Sequence, residues 1–180
     1  RIIAITDPMG AATAYSYDAN GNLLSVTDAL GNVTAYEYDA LNRVTAEIAP
    51  NGGKIVYAYD CVGNLIETTD ALVHTTTYSY DAAGNIIGET DAEGNAKQYQ
   101  YDKANRLIAV VDELGGKTSY AYDAMDHIVQ VTDALRHATK YTYDKDGNLT
   151  SETDALGNRV RYAYTPEGWL ESITKADGTV

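Results

Sequence analysis

The sequence predicts an all-β protein, an antiparallel array of β-hairpins that forms one long curled or spiralling sheet. Three observations carry this prediction: a Tyr-x-Tyr pair recurs every 21 residues without insertion or deletion, each copy contains two turn-forming phrases, and only short runs separate the turns. A fixed period of this size is typical of repeat architectures. The runs between turns leave no room for a helix, and their Val, Ile, Thr and Tyr residues favour strands. We therefore expect two strands and two turns in each copy.

The eight Tyr-x-Tyr pairs contain all 16 tyrosines of the chain, which has no Phe. Because the same pair recurs in every copy, we expect one environment for all of them, with rings packed across strands and hydroxyls reaching water or a turn acceptor. The pairs are Tyr15/Tyr17, Tyr36/Tyr38, Tyr57/Tyr59, Tyr78/Tyr80, Tyr99/Tyr101, Tyr120/Tyr122, Tyr141/Tyr143 and Tyr162/Tyr164.

A first turn follows each pair and has the consensus Asp-Ala-x-Gly-Asn. The Asp that opens it is expected to accept a hydrogen bond from a turn amide; these residues are Asp18, Asp39, Asp60, Asp81, Asp102, Asp123 and Asp144, with Thr165 in the last copy. The fourth position holds residue types that tolerate positive φ, which predicts a type I turn followed by a left-handed residue. Those residues are Gly21, Asn42, Gly63, Gly84, Asn105, Asp126, Gly147 and Gly168.

A second turn of similar composition closes each copy but is less regular. Its glycine position holds Val73 and Arg136 in two copies, where we expect a different local turn or backbone strain.

The repeat length has a consequence for the sheet. Side chains alternate faces along a strand with period two, and 21 is odd, so regular strands would send successive Tyr pairs to opposite faces. Since every pair should have the same environment, we expect one register slip in each copy, as a bulge or a second turn type.

About 16 strands in sequence should curl, because open sheets beyond about ten strands tend to curl, split or flatten. Stability should build up between neighbouring repeats, with the end repeats weakest. In the final copy, Trp169 replaces the usual Asn after the glycine of the first turn, and we expect it to pack on the last hairpin. Bare edges near Ile3–Thr6 and Ile173–Val180 predict self-association unless Lys175 and Asp177 prevent it.

Composition limits the possible partners. The net charge of −13 disfavours nucleic acid and anionic membranes, which attract Lys and Arg. No apolar run approaches the roughly 18 residues of a transmembrane helix, and no signal peptide is recognisable. The chain opens and closes inside a repeat. We therefore expect residues 1–180 to be a single repeat array of about 8.5 copies and a fragment of a larger protein.

The sequence predicts no enzyme, cofactor or metal site. Its carboxylates recur with the repeat, which indicates turn formation rather than catalysis. The three histidines, His74, His127 and His137, lie beside turns, and none has a second ligand at metal spacing. The motifs of nucleophilic serine enzymes, zinc peptidases, phosphate-binding loops and calcium β-rolls are absent. Cys61 is interpreted as a tolerated small residue in a turn.

The unit Tyr-Asp-Ala-x-Gly-Asn-Leu, seen at 80–86 and 143–149, resembles the YD repeat of the Rhs family over essentially the whole chain. Similar repeats occur in bacterial Rhs and wall-associated polymorphic toxins, in the C component of insecticidal toxin complexes and in teneurins. The resemblance implies a β-sheet strip that spirals into a hollow shell. In the toxins the shell encloses a toxic C-terminal domain until delivery, and in teneurins it belongs to an adhesion receptor.

The chain departs from a whole family member, because no shell-closing or self-cleavage segment and no variable toxin follows the repeats, and eight repeats are too few for a full shell. The resemblance implies a structural, non-catalytic segment that, with the rest of the shell, encapsulates a toxin or other cargo, secreted or delivered by a bacterial secretion system. The alternative is a module that binds carbohydrate or a cell-surface partner. Packed Tyr pairs would favour the wall, and ring faces open along a groove would favour the glycan reader.

Overall fold

The computed structural model describes residues 1–180 and contains 17 β-strands and no helix. It therefore has no helix long and apolar enough to cross a membrane. The chain divides into two compact units, Arg1–Asn95 and Ala96–Val180, and each is described by itself. That all 180 residues act as a single array stays a prediction.

In the first unit, each strand pairs antiparallel with the next along the chain. Its strands are β1 (Ala4–Thr6), β2 (Ala12–Tyr17), β3 (Leu23–Thr27), β4 (Val33–Tyr38), β5 (Val44–Ile48), β6 (Lys54–Tyr59), β7 (Leu65–Thr69), β8 (Thr75–Tyr80) and β9 (Ile86–Thr90).

The second unit repeats this pattern of consecutive antiparallel pairs. Its strands are β10 (Ala96–Tyr101), β11 (Leu107–Val111), β12 (Lys117–Tyr122), β13 (Ile128–Thr132), β14 (Ala138–Tyr143), β15 (Leu149–Thr153), β16 (Arg159–Tyr164) and β17 (Leu170–Thr174). Six-residue strands that end in a Tyr pair alternate with five-residue strands. The predicted all-β hairpin array is confirmed.

Both kinds of turn share one geometry. In the first turn of the first copy, the amide of Asp18 donates to the carbonyl of Asn22 (3.0 Å) and the amide of Gly21 donates to the carbonyl of Asp18 (3.2 Å). The second turn repeats this pattern at Asp28, Gly31 and Asn32. Every residue at the fourth turn position has positive φ, including Asn42, Asn105 and Asp126. The prediction of a left-handed residue in the first turn is confirmed.

Val73 and Arg136 do not form a different local turn, so that expectation was wrong. Their φ angles are 67° and 68°, and the amide of Val73 donates to the carbonyl of Asp70 at 3.0 Å, as in the glycine-containing turns. The loop is closed by backbone hydrogen bonds that do not depend on the side chain at this position. The alternative expectation, backbone strain, fits both residues, because the left-handed region is unfavourable for residues other than glycine and most of all for a β-branched one such as Val73.

Each copy contains a β-bulge, which supplies the register slip that the odd repeat length requires. Tyr15 pairs with Val26 and Ser16 with Ser25, but Tyr17 pairs with Leu23, so one residue of β3 is extra. The same shift lies just before the second Tyr of every pair. Because cross-strand partners share a face, the register returns the first Tyr of each pair to one face within each unit. The predicted register slip is a bulge.

Neither unit contains a conventional core. Only Ala46, Ala109 and Ser151 are buried, each about 1% exposed. All three occupy the third position of a five-residue strand, on the face opposite the first tyrosines. The side chains of most other strand residues are half-buried, so stability must come from contacts between neighbouring hairpins.

Candidate functional site

The Tyr pairs divide into two structural roles. All 16 rings are half-buried. The first Tyr of a pair lies opposite a residue of the next strand, as Tyr57 lies opposite Thr68, and the hydroxyl of Tyr57 has no hydrogen-bond partner in the chain. The second Tyr instead uses its hydroxyl within the protein.

In seven of the eight pairs, the second Tyr donates its hydroxyl to the backbone carbonyl of the residue 15 positions earlier. Tyr59 donates to Val44 at 2.8 Å and Tyr122 donates to Leu107 at 2.7 Å. The same bond joins Tyr17 to Ile2, Tyr38 to Leu23, Tyr80 to Leu65, Tyr143 to Ile128 and Tyr164 to Leu149. Apart from Ile2, which precedes β1, each acceptor is the first residue of the five-residue strand in the preceding copy. In these copies the hydroxyl therefore ties a repeat to the one before it.

This bond replaces missing backbone pairing. In the hairpin of β3 and β4, backbone pairing extends only from Thr27↔Val33 to Ser25↔Ala35. Beyond these pairs the carbonyl of Leu23 has no strand partner in β4, and the Tyr38 hydroxyl takes it at 2.8 Å. Burial raises the pKa of Tyr38.

The ring of the second Tyr is covered in several copies by the residue 16 positions earlier. The Arg43 guanidinium lies 4.6 Å from the centroid of the Tyr59 ring, and Arg106 lies 4.8 Å from that of Tyr122. His127 stacks on Tyr143 at 4.5 Å with an interplanar angle of 21°. Arg1 lies over Tyr17 at 5.8 Å. We call this position the cover position.

A cover arginine also joins two consecutive first turns. Nε of Arg43 donates to Oδ2 of Asp39 in its own turn at 2.7 Å, and Nη1 donates to the carbonyl of Asp60 in the next turn at 3.2 Å. Arg106 repeats both contacts, to Asp102 and to the carbonyl of Asp123. A single guanidinium therefore contacts a carboxylate, a carbonyl and a ring face.

The left-handed residue of the next turn also contacts the cover position when it carries a side chain. Nδ2 of Asn22 donates to Oδ1 of Asn42 at 2.7 Å, and Nη1 of Arg106 donates to Oδ1 of Asp126 at 2.7 Å. Where that residue is glycine and the cover residue is Arg or His, the cover side chain fills the space: a Cβ on Gly63 would lie 3.8 Å from Arg43, and one on Gly147 would lie 3.1 Å from His127.

Two equivalent clefts remain open, one in each unit. The Tyr80 cleft is a cavity of about 520 Å³ lined by Asp60, Asn64, Ile66, Tyr80, Asp81 and Gly84, among others. The Tyr164 cleft, of about 800 Å³, is lined by Asp144, Asn148, Thr150, Tyr164, Thr165 and Gly168, with further residues. In both, the cover residue is Asn and the left-handed residue is Gly, and a Cβ on either glycine would meet nothing within 4 Å.

The turn aspartates are held as anions by the turns they open. Oδ1 of Asp81 accepts the amides of Ala83 and Asn85, and Oδ2 accepts the Asn85 side chain. The side-chain hydrogen bond from Asn85 is the main reason why the pKa of Asp81 is lowered. Burial would raise the pKa of Asp60, but hydrogen bonds from Asn64 and the turn amides outweigh it, and the pKa is lowered. These carboxylates work as loop acceptors.

The three histidines take the place of the turn Asn. Nδ1 of His74, His127 and His137 lies 3.0 Å from the carboxylate that opens the same turn, Asp70, Asp123 and Asp133 respectively. The chain contains no group of three His, Cys, Asp or Glu side chains placed to hold a metal ion.

Trp169 does not pack on the last hairpin, so that expectation was wrong. Its side chain is 74% exposed, although its amide is 3.4 Å from the Thr165 hydroxyl. It occupies the cover position, where Arg43, Arg106 and His127 lie over tyrosine rings in other copies. Cys61 is exposed in a first turn and is a free thiol.

Sequence reasoning identified the Tyr pairs and turn residues but missed the cover position. The only signal was its composition: Asn, Arg and His, all side chains that can donate a hydrogen bond, alternate at one place in the repeat. The register alone does not show that this residue lies over a ring in the next copy.

Comparison with solved structures shows the same fold in much longer chains. A Photorhabdus luminescens Tc holotoxin pore with a TccC3 mutation superimposes with a TM-score of 0.67 at 17% identity, over 91% of this chain and 12% of that chain. Crystal structures of TcdB2-TccC3-Cdc42 and TcdB2-TccC3-TEV give TM-scores of 0.58 and 0.57 at 16% and 17% identity, over 96% of this chain and 12% of theirs. This chain thus spans about 12% of those chains.

No curated protein sequence matches the chain. A family model does, and it matches repeatedly: the RHS Repeat model aligns with residues 1–29, 17–54, 57–96, 101–138 and 143–180. The first two matches overlap, and the others are separated by gaps of two to four residues. The chain belongs to the RHS repeat family.

Proposed function

We propose that this chain is a structural, non-catalytic wall segment of an RHS-type β-shell that encloses a toxin or other C-terminal cargo. One observation carries the proposal: inside each unit the second Tyr of a copy bonds to the copy before it, so neighbouring repeats of a unit hold one another together. Such nearest-neighbour stabilisation lets a sheet extend without a core of its own. The likeness to TccC3-containing toxin structures supports the same reading.

The partners under this proposal are the rest of the shell and the enclosed cargo, and the protein is secreted or delivered by a bacterial secretion system. The acidic surface, with a net charge of −13, suits a soluble wall that does not bind nucleic acid. The strands β1 and β17 each pair with one neighbour inside their units. Their free backbone groups are suited to further repeats, or to self-association when those repeats are missing.

Protease protection tests the wall function in the longer polypeptide that carries these repeats and its C-terminal cargo. The cargo should resist a protease that cleaves it rapidly when it is expressed alone. A double substitution of Tyr59 and Tyr122 to Ala, which removes two ties between repeats, should expose the cargo while the matched Tyr57 and Tyr120 to Phe variant should not. Cargo that is digested equally fast inside the intact protein would refute encapsulation.

The alternative function, a module that binds carbohydrate or a cell-surface partner, has one supporting observation. The first tyrosines are half-exposed, and the hydroxyl of Tyr57, for example, has no partner in the chain. Rings of this kind can stack on sugars while the hydroxyl forms hydrogen bonds. A glycan array with the 180-residue chain tests this alternative: binding that is lost in Tyr57→Ala and Tyr141→Ala would support it, and no binding would refute it.

A further inference from the structure

We propose that the Tyr80 cleft and the Tyr164 cleft each bind the guanidinium group of an arginine side chain from a partner polypeptide. The inference follows from the repeat geometry of the chain and does not depend on encapsulation. In some copies an arginine or histidine of the chain itself lies over the ring of the second Tyr, whereas in two copies the space over that ring is open.

The filled copies show what the site accepts. In two of them a guanidinium lies over the ring of the second Tyr at 4.6 and 4.8 Å, in Arg43 over Tyr59 and Arg106 over Tyr122. The same group contacts the Asp of its own turn at 2.7 Å and the opening carbonyl of the next turn at 3.1–3.2 Å. A flat cation with donors around its edge satisfies all three groups at once.

The open copies present the same three groups. In the Tyr80 cleft these are the Tyr80 ring, the Asp60 carboxylate and the Asp81 carbonyl. Asn64 is too short to cover the ring, since its amide ends on Oδ2 of Asp60 at 2.9 Å. That oxygen and the Asp81 carbonyl can each accept a further hydrogen bond, because each has a second lone pair.

The space for the cation is also present. A Cβ on Gly84 would meet nothing within 4 Å, whereas one on Gly63 would lie against Arg43. The Tyr164 cleft has the same arrangement four repeats later. Nδ2 of Asn148 donates to Oδ2 of Asp144 at 3.0 Å, and a Cβ on Gly168 would meet nothing within 4 Å. Because the same open space occurs in two copies, it does not result from the conformation of one particular loop.

Charge selects a cation over a neutral ligand. The net charge of the chain is −13, and carboxylates outnumber cations in both clefts. Asp60 and Asp81 line the Tyr80 cleft, and Asp144, Asp146 and Glu167 line the Tyr164 cleft, where Lys145 pairs with Asp146. Lysine is a poorer fit than arginine, since an ammonium does not stack on a ring and cannot reach the carboxylate and the carbonyl as a planar fork. A flexible, arginine-containing segment of a partner is therefore the expected ligand.

The test uses NMR titration of the 180-residue chain with a Gly-Arg-Gly-Arg peptide and with the same peptide carrying citrulline, which has the same shape without the charge. The Arg peptide should shift the ring resonances of Tyr80 and Tyr164. The already covered rings of Tyr59 and Tyr122 should not shift and serve as internal controls. Free arginine should bind more weakly than the peptide if the source is a polypeptide.

A double variant, Asn64→Arg with Asn148→Arg, supplies the decisive comparison, because it fills both clefts from within and preserves the turns. Its affinity for the Arg peptide should fall about tenfold or more, the order expected for one cation–π contact with charge-assisted hydrogen bonds. Unchanged far-UV circular dichroism would show that it still folds.

Three results would overturn the proposal: equal shifts with the citrulline peptide, undiminished binding by the double variant, or shifts confined to other tyrosines. Shifts of Tyr80 and Tyr164 by oligosaccharides in place of the Arg peptide would assign the clefts to glycans and refute it as well.

Discussion

The hydroxyl of Tyr59 donates a 2.8 Å hydrogen bond to the backbone carbonyl of Val44, 15 residues earlier and one repeat back in the sequence. The contact lies beyond the last backbone pair of β5 and β6, so a side chain continues the hydrogen bonding between these two strands. The Arg43 guanidinium lies 4.6 Å from the same ring. One residue thereby joins a carbonyl and a cation from the preceding copy.

This relationship predicts the effect of removing a single oxygen. Tyr59→Phe should lower the free energy of unfolding by about 1 kcal/mol, since the carbonyl of Val44 loses its partner while the ring remains. Urea denaturation followed by circular dichroism measures the change. Tyr57→Phe is the matched control and should change stability little, because the Tyr57 hydroxyl has no partner in the chain. Equal losses for the two variants would show that the bond contributes nothing specific.

Backbone strain at Val73 predicts a stabilising substitution. Val73→Gly should raise the free energy of unfolding by about 1 kcal/mol, because relief of the left-handed valine outweighs the added flexibility of glycine in the unfolded chain. Gly31→Val is the reverse experiment at the same turn position, where φ is 83° and a Cβ would meet nothing within 4 Å. It should destabilise through the backbone alone. A destabilising Val73→Gly would mean that the valine side chain contributes a favourable contact.

The turn carboxylates predict acid sensitivity. Hydrogen bonds from Asn32 and Asn85 lower the pKa values of Asp28 and Asp81 from 3.8 in the folded protein. The folded protein therefore binds protons less readily than the unfolded chain. The resulting stability is complete above the unfolded pKa and is lost as pH falls through the folded pKa.

Thermal melts between about pH 6 and pH 2 should thus show a melting temperature that is flat at first and falls steeply below about pH 4. Asp28→Asn with Asp81→Asn should make the decline shallower, since an amide has no proton to gain. A melting temperature that rises on acidification would contradict this account and would point to charge repulsion as the dominant effect in the acidic chain.

Arginine at the cover position should not be replaceable by lysine. Arg106 contacts Asp102, Asp126 and the carbonyl of Asp123 while lying over Tyr122. Arg106→Lys keeps the charge but cannot make these contacts together, so the melting temperature should fall, and the loss should shrink at high salt because exposed ion pairs are screened. Lys145→Ala, at an 88% exposed side chain, is the control and should have little effect. A fully stable lysine variant would show that charge alone suffices.

Much of the fold follows from local sequence. The turn phrases specify where strands begin and end, and the choice among Gly, Asn and Asp at one position specifies a left-handed residue there. Arithmetic on an odd repeat length required one register slip in each copy, and the structure has a bulge before Tyr17, Tyr38 and every later second tyrosine. These features depend on a residue and its close neighbours, or on counting, and are therefore readable from the sequence.

The remaining features depend on contacts between hairpins. Nothing in the pattern separates Tyr57 from Tyr59, yet one hydroxyl has no partner and the other reaches Val44. Likewise, Trp169 looks like a packed aromatic in sequence but is exposed. The sequence by itself determined the strands, the turns and the period. Only the tertiary structure decided which rings are covered and which clefts stay open, since those outcomes depend on how side chains 15 to 20 residues apart meet across neighbouring hairpins.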